Sequence, residues 1–218
     1  APLVGRASEL ARLREVLDGT PDGVSGGALL VGESGMGKTR LIDALAAERP
    51  GILVAQARIG DRLVPYSTLG RLVRHLRIQA PHAIGSGFDP ELAALWPGGP
   101  SGTEGTVPAP PRAASLREWL HRAGPAVRAW VLDDLQWADD ASAELLLGLL
   151  VTAPREHLPW VIATQPPEAG SVAEALLEAA ADLPAVQTVL VPPLAKTAVF
   201  DWVLARDPGG GPPQGRAT

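Results

Sequence analysis

Gly32-Glu33-Ser34-Gly35-Met36-Gly37-Lys38-Thr39 is the stretch that decides the fold. It fits G-x-x-x-x-G-K-[ST], a phosphate-binding loop when a strand leads into it and a helix leads out. Ala28-Leu29-Leu30-Val31 just before it is a short apolar run suited to a buried strand, and Leu41, Ile42 and Leu45 after it recur at helical spacing. Gly32, Gly35 and Gly37 admit backbone angles closed to other residues and let the amides approach phosphate oxygens. Those amides form an anion-binding nest at a helix N-terminus, where the dipole also favours negative charge. Lys38 adds a point charge for the β- and γ-phosphates, and the Thr39 hydroxyl suits Mg²⁺.

Such a loop needs a carboxylate partner for the metal. Ala129-Trp130-Val131-Leu132-Asp133-Asp134 is an apolar strand closing on two carboxylates, the Walker B pattern. Sites in open α/β sheets lie at the carboxyl ends of strands. Asp133, expected first after its strand, is therefore the metal residue with Thr39, and Asp134 is the candidate for polarising an attacking water. Thr164-Gln165 ends a further apolar run, 160–164, and is expected near the γ-phosphate; a polar strand end ahead of Pro166-Pro167 is the alternative. Lys38, Asp134 and Gln165 make up the expected catalytic set.

The rest of the chain alternates strands with helices. Leu10, Leu13 and Leu17 mark a helix with Ser8 as its expected N-cap and Gly19 as its stop. Residues 52–57 form a second strand, followed by a helix from about Ser67 with Leu69, Leu72, Val73 and Leu76 on one face. Residues 81–90 are expected to be irregular and 91–96 a short helix. Residues 98–111, crowded with Gly and Pro, suggest a surface insertion that is mobile or disordered. A helix with Leu116, Trp119 and Leu120 follows, then the strand at 126–132 and a helix striped by Leu145, Leu146, Leu149 and Leu150. A helix at 172–181, a fifth strand at 186–191, a helix from Thr197 and a Gly/Pro-rich tail complete the order. The fold predicted is α/β: a five-stranded parallel sheet covered by helices on both faces.

Hydrophobic content of 46% in 218 residues is ample for a core, and the net charge of −5 argues against a nucleic-acid surface on this piece. There is no cysteine, which excludes disulfides and Cys-ligated zinc. His75, His82, His121 and His157 show no metal-ligand spacing. Arg71, Arg74 and Arg77 recur on one helix face, expected to be solvated, with a subunit contact as the alternative. Without a membrane-length apolar run or a signal peptide, a cytoplasmic protein is expected. A start at Ala1 rather than Met suggests a piece of a longer chain.

Together these motifs resemble the ATPase modules of AAA-related signal-transduction NTPases, the STAND class, as found in large LuxR-type transcriptional regulators. Val4-Gly5-Arg6 with Glu9 is similar to the family's opening motif, which lies near the adenine. The P-loop followed by Arg40-Leu41, the Val64-Pro65-Tyr66 turn before a helix, and above all Val131-Leu132-Asp133-Asp134-Leu135-Gln136-Trp137-Ala138-Asp139 carry the resemblance. It covers about residues 3–204 and implies ATP or ADP with Mg²⁺ as ligands, adenine rather than guanine, and Val4, Gly5, Arg6 and Arg40 beside residues 32–39 in nucleotide binding. It also implies an additional-strand core, in which the Thr164 strand lies between the two Walker strands. Residues 1–191 would form the ATPase domain and 192–218 the entry to a helical lid plus a tail. The partners implied are that lid, a winged helix, sensor repeats and often a DNA-binding helix-turn-helix in the same protein. One departure stands out: the family commonly ends the fourth strand with an Arg that senses the γ-phosphate, and position 165 is Gln. Three readings follow: a slowly hydrolysing regulatory switch, a nucleotide-binding module with negligible turnover, or a ring-forming AAA ATPase.

Overall fold

The computed structural model describes residues 3–19, 26–84, 95, 112–151, 158–197 and 199. Helix α1 (Ala7–Asp18) stops at Gly19, as its spacing predicts, but Ser8 is not its cap. The helix starts two residues earlier, with Arg6 in the cap position, and the Ser8 hydroxyl donates instead to the Glu9 carboxylate at 2.7 Å. Strand β1 (Gly27–Val31) feeds the glycine-rich loop, and helix α2 (Lys38–Glu48) leaves it. Then come β2 (Ile52–Gln56), a 3-10 turn (Ile59–Leu63), and α3 (Ser67–Gln79). Residues 81–84, expected to be irregular, form a short helix α4 (Pro81–Ile84), because Ala83 and Ile84 are buried in the core and Pro is tolerated in a first helical turn.

Of the helix expected at 91–96 only Leu95 is described; it sits in a turn and is buried. The insertion at 98–111, the tail and all of the helix from Thr197 except Thr197 and Val199 lie outside the described residues. Helix α5 (Ala113–Arg122) is followed by a 3-10 turn (Gly124–Ala126) built on Pro125, so β3 (Ala129–Asp133) starts later than expected and includes Asp133 as its last residue. A 3-10 turn (Leu135–Trp137), α6 (Asp140–Val151), β4 (Trp160–Thr164), α7 (Val172–Ala181) and β5 (Val186–Leu190) complete the order.

All five strands are parallel, in the order β2-β3-β4-β1-β5. The Thr164 strand therefore lies between the two Walker strands, as the additional-strand resemblance implies. Side chains alternate across the sheet. Leu29, Leu53, Trp130, Leu132 and Ile162 face a core under α3, α5, α6 and α7, while Ala28, Leu30, Val131, Val161 and Ala163 face α1 and α2. Trp130 and Trp160, paired in register on β3 and β4, stack with ring centroids 6.0 Å apart. Both faces are thus covered, which is why the strands read as continuous apolar runs.

At the β2 edge, helix α3 turns polar side chains onto strand carbonyls. His75 Nδ1 donates to the Val54 carbonyl at 2.5 Å and Arg71 to that of Gln56 at 3.3 Å. An edge whose carbonyls are occupied is a poorer template for strand addition. Arg71 is accordingly no member of a solvated face: its guanidinium also pairs with the buried Asp61.

Candidate functional site

The carboxyl ends of β1, β3 and β4 converge on the glycine-rich loop, which is tied to β4 by a bond from the Gly32 N–H to the Thr164 carbonyl at 3.2 Å. Gly35 and Gly37 hold φ of 77° and 90°, the left-handed region that a side chain resists. Gly37 is the N-cap of α2, so the turn that aims the loop amides also starts the helix whose dipole backs them. A cavity of about 360 Å³ opens there, lined by Ser34, Gly35, Gly37, Lys38, Thr39, Arg40, Asp134 and Gln165. The structure thus brings Lys38, Asp134 and Gln165 together from three different segments.

Lys38 is buried, and its Nζ donates to the carbonyls of Gly32 at 2.6 Å and Glu33 at 2.9 Å, holding the loop closed around the ammonium. Burial pushes the ammonium below the ordinary lysine value, while the charges of Asp134, Asp133 and Glu33 act in the opposite direction. Thr39 Oγ1 donates to Asp133 Oδ2 at 2.6 Å, so the two expected metal residues touch. Asp133 is 1% exposed. Burial pushes its carboxyl above the ordinary value; the Thr39 bond opposes that rise and the Asp134 charge adds to it. A dry carboxylate beside a hydroxyl, opening on an anion-binding loop, fits a hard divalent cation that takes its remaining oxygens from phosphate and water. Among the described residues no group of three or more His, Cys, Asp or Glu is placed to hold a metal ion.

Asp134 holds φ 59° and ψ 42°, a left-handed conformation that Asp tolerates better than most residues. That turn swings its carboxylate off the strand axis and into reach of two amides. Gln56 Nε2 donates to Oδ2 at 2.9 Å, and Gln136 Nε2 donates to Oδ1 at 2.9 Å. Neither Gln belonged to the expected site. Gln56 ends β2, and only the pairing of β2 with β3 brings it there; Gln136 stood within the quoted Walker B stretch, two residues past Asp134.

Val4 and Gly5 do not line the cavity, and Arg6 meets the loop from elsewhere. The Arg6 guanidinium is 5% exposed, pairs with Glu9 at 2.8 Å, and donates to the Met36 carbonyl at 2.9 Å and the Pro192 carbonyl at 2.5 Å. It ties the nucleotide loop to the chain that leaves β5. Asp139, quoted above without a role, is 2% exposed and accepts from the N–H groups of Tyr66 (2.6 Å), Thr68 (3.1 Å) and Ser142 (2.9 Å). It therefore caps α3 and α6 at once and joins the Val64-Pro65-Tyr66 turn to the Walker B segment.

Residues 2–162 match the AAA ATPase domain family. The chain belongs to that family. Among solved structures, this AAA ATPase domain is similar to Cdc6p from Pyrobaculum aerophilum, with a TM-score of 0.54 and 17% identity over 94% of this chain and 50% of that one. It is also similar to the ORC1 protein of Aeropyrum pernix in complex with DNA, with a TM-score of 0.46 and 21% identity over 95% of this chain and 50% of that one. The domain spans about half the length of these relatives, and the first likeness shows the fold alone. No curated protein matches the chain. Membership carries the nucleotide-binding ATPase character that the loop chemistry suggests. Among the described residues no helix is long and apolar enough to cross a membrane.

Proposed function

We propose that this AAA ATPase domain binds ATP with Mg²⁺ and hydrolyses it slowly, as the regulatory switch of a larger STAND-type signal-transduction protein of the LuxR class. One observation carries the reading: Lys38, Thr39, Asp134 and Gln165 line a single cavity, with Thr39 bonded to Asp133 at its edge. In the proposed arrangement residues 32–39, with Arg40, hold the phosphates, and Lys38 faces the β- and γ-phosphates. Val4, Gly5 and Arg6 contribute on the adenine side through the Arg6 bond to the loop. Thr39 and Asp133 hold the metal. When bound, Mg²⁺ neutralises charge on the phosphate oxygens.

Asp134 takes a proton from the attacking water as the bond from the γ-phosphorus to ADP breaks. Asp is one methylene shorter than Glu, and a misplacement of about 1 Å costs on the order of 10²-fold. Gln165 donates a neutral hydrogen bond to the γ-phosphate but cannot neutralise it, whereas a well-placed Arg is worth roughly 10³–10⁵ in rate. Turnover well below once per second follows. Slow hydrolysis suits a switch, whose ATP state must persist long enough to be read. The Arg6 bridge from Met36 to Pro192 supports a route from the loop to downstream domains: a helical lid, a winged helix, sensor repeats and a DNA-binding module. The net charge of −5 supports a module that does not itself touch nucleic acid, and a cytoplasmic setting is proposed with it.

A second reading is favoured by the two amides on Asp134. With both oxygens engaged by Gln56 and Gln136, the carboxylate has reduced freedom to take a proton, and the domain would bind nucleotide with negligible turnover. Phosphate release measured alongside fluorescent-ADP binding on the full chain separates the two. Binding with slow release supports the switch; binding without release supports the second reading; no binding sinks both.

A further inference from the structure

We infer that Gln136 is a positioning residue that couples the water-activating carboxylate to the γ-phosphate end of β4. The inference rests on the proposed ATPase reading. Gln136 is 8% exposed, and its side chain spans from β3 to β4. Nε2 donates to Asp134 Oδ1 at 2.9 Å. Oε1 accepts from the Gln165 backbone N–H at 3.1 Å; the Thr164 hydroxyl lies 3.3 Å from Oε1 but gives its one proton to the Gln165 carbonyl at 2.8 Å. Its own carbonyl accepts two bonds from Arg62, at 2.6 and 3.0 Å, and the Arg62 guanidinium lies 5.3 Å from the Trp137 ring centroid, so the turn that carries Gln136 is pinned from outside.

Chemistry fixes which way this amide points. The Gln165 N–H can only donate, so it must meet Oε1; an ionised carboxylate can only accept, so Asp134 must meet Nε2. A flipped amide would set donor against donor and acceptor against acceptor at both ends. Gln is thus the side chain that satisfies a carboxylate on one strand tip and a backbone N–H on the next. Gln56 also holds Asp134, but from the sheet edge and without reaching β4. Gln136 alone among the described residues bonds both Asp134 and Gln165, the two groups assigned to the water and the γ-phosphate. Its consequence is a shared geometry: a shift at the β4 tip moves the carboxylate, and the reverse.

Two variants of the full chain test this. Gln136→Met keeps the length and removes both bonds. Gln136→Glu keeps the acceptor for the Gln165 N–H but sets a second carboxylate against Asp134. Phosphate release, ADP affinity by calorimetry and thermal melting are measured for each. If Gln136 positions Asp134, both variants lose about 10²-fold in kcat, while KM and the affinity for ADP, which lacks the γ-phosphate, stay within about twofold, a change under half a kcal/mol. Wild-type kcat in Gln136→Met overturns the inference and leaves the ATPase reading intact. Full rescue by Glu overturns it too, since the residue would then only support β4. Loss of ADP binding or of the folded state in both variants makes the role structural and overturns it. No turnover in the wild type overturns the ATPase reading and, with it, the inference.

Discussion

Replacing Asp139 by Ala should destabilise the fold strongly while sparing the nucleotide site. The carboxylate is the shared acceptor of three backbone donors: Tyr66 and Thr68 at the start of α3 and Ser142 in the first turn of α6. Asp139, Thr68 and Ser142 are 2%, 1% and 0% exposed, so water cannot replace the lost oxygens. An orphaned buried donor costs about 1–3 kcal/mol, and loss of a helix N-cap about 0.5–2 kcal/mol. Two helix starts with a third donor therefore give about 3–5 kcal/mol, which at this chain length lowers the melting temperature by about 6–20 °C. Asp139→Asn is an intermediate case. Its carbonyl keeps the Tyr66 and Ser142 N–H groups, but its NH₂ then faces the Thr68 N–H, for a loss of about 1–3 kcal/mol. Urea unfolding followed by tryptophan fluorescence gives the ordering, and calorimetry well below the transition should show unchanged nucleotide affinity. An Ala variant within about 0.5 kcal/mol of wild type, or one more stable than Asn, would refute the capping argument.

Lys38→Ala removes a charge-assisted contact worth roughly 1.5–3 kcal/mol and should weaken ATP binding by about 10- to 150-fold; unchanged affinity by calorimetry would sink the assignment. Asp134→Asn should abolish the slow phosphate release and leave ATP affinity nearly intact, because the carboxylate acts on water; an unaltered rate contradicts its role as base. Asp61 carries a pH signature. Burial pushes its carboxyl up, but bonds from Arg71, the Arg58 N–H and the Thr68 hydroxyl outweigh that and hold it below the ordinary value. A depressed carboxylate stabilises the fold above its unfolded pKa and loses that contribution as pH falls through the folded one. The gap in melting temperature between wild type and Asp61→Asn should therefore be widest near neutrality and narrow on acidification; a gap independent of pH rules this out.

Much of the site was legible because its chemistry is local. The loop glycines, Lys38 and Thr39 are neighbours in sequence, and the phosphate nest needs only the strand before and the helix after. The strands were legible because a sheet covered on both faces demands unbroken apolar runs, and the end of α1 at Gly19 follows from the backbone freedom of glycine. Boundaries failed where burial overrode propensity, as at α4, or where a proline turn took residues from a strand, as at 124–126.

What the chain could not announce was which distant groups meet. Arg71 read as one of three solvated arginines until Asp61 came within reach of it, and nothing along the chain joined Arg6 to Met36 and Pro192. The two amides on Asp134 left no trace along the chain, because Gln56 lies 78 positions away and Gln136 acquires its second partner only when β4 is laid beside β3. Periodicity and motif spacing record what neighbours along the chain must satisfy. Hydrogen-bond partners across strand tips depend on sheet order and register, and those are decided by packing both faces of the sheet at once.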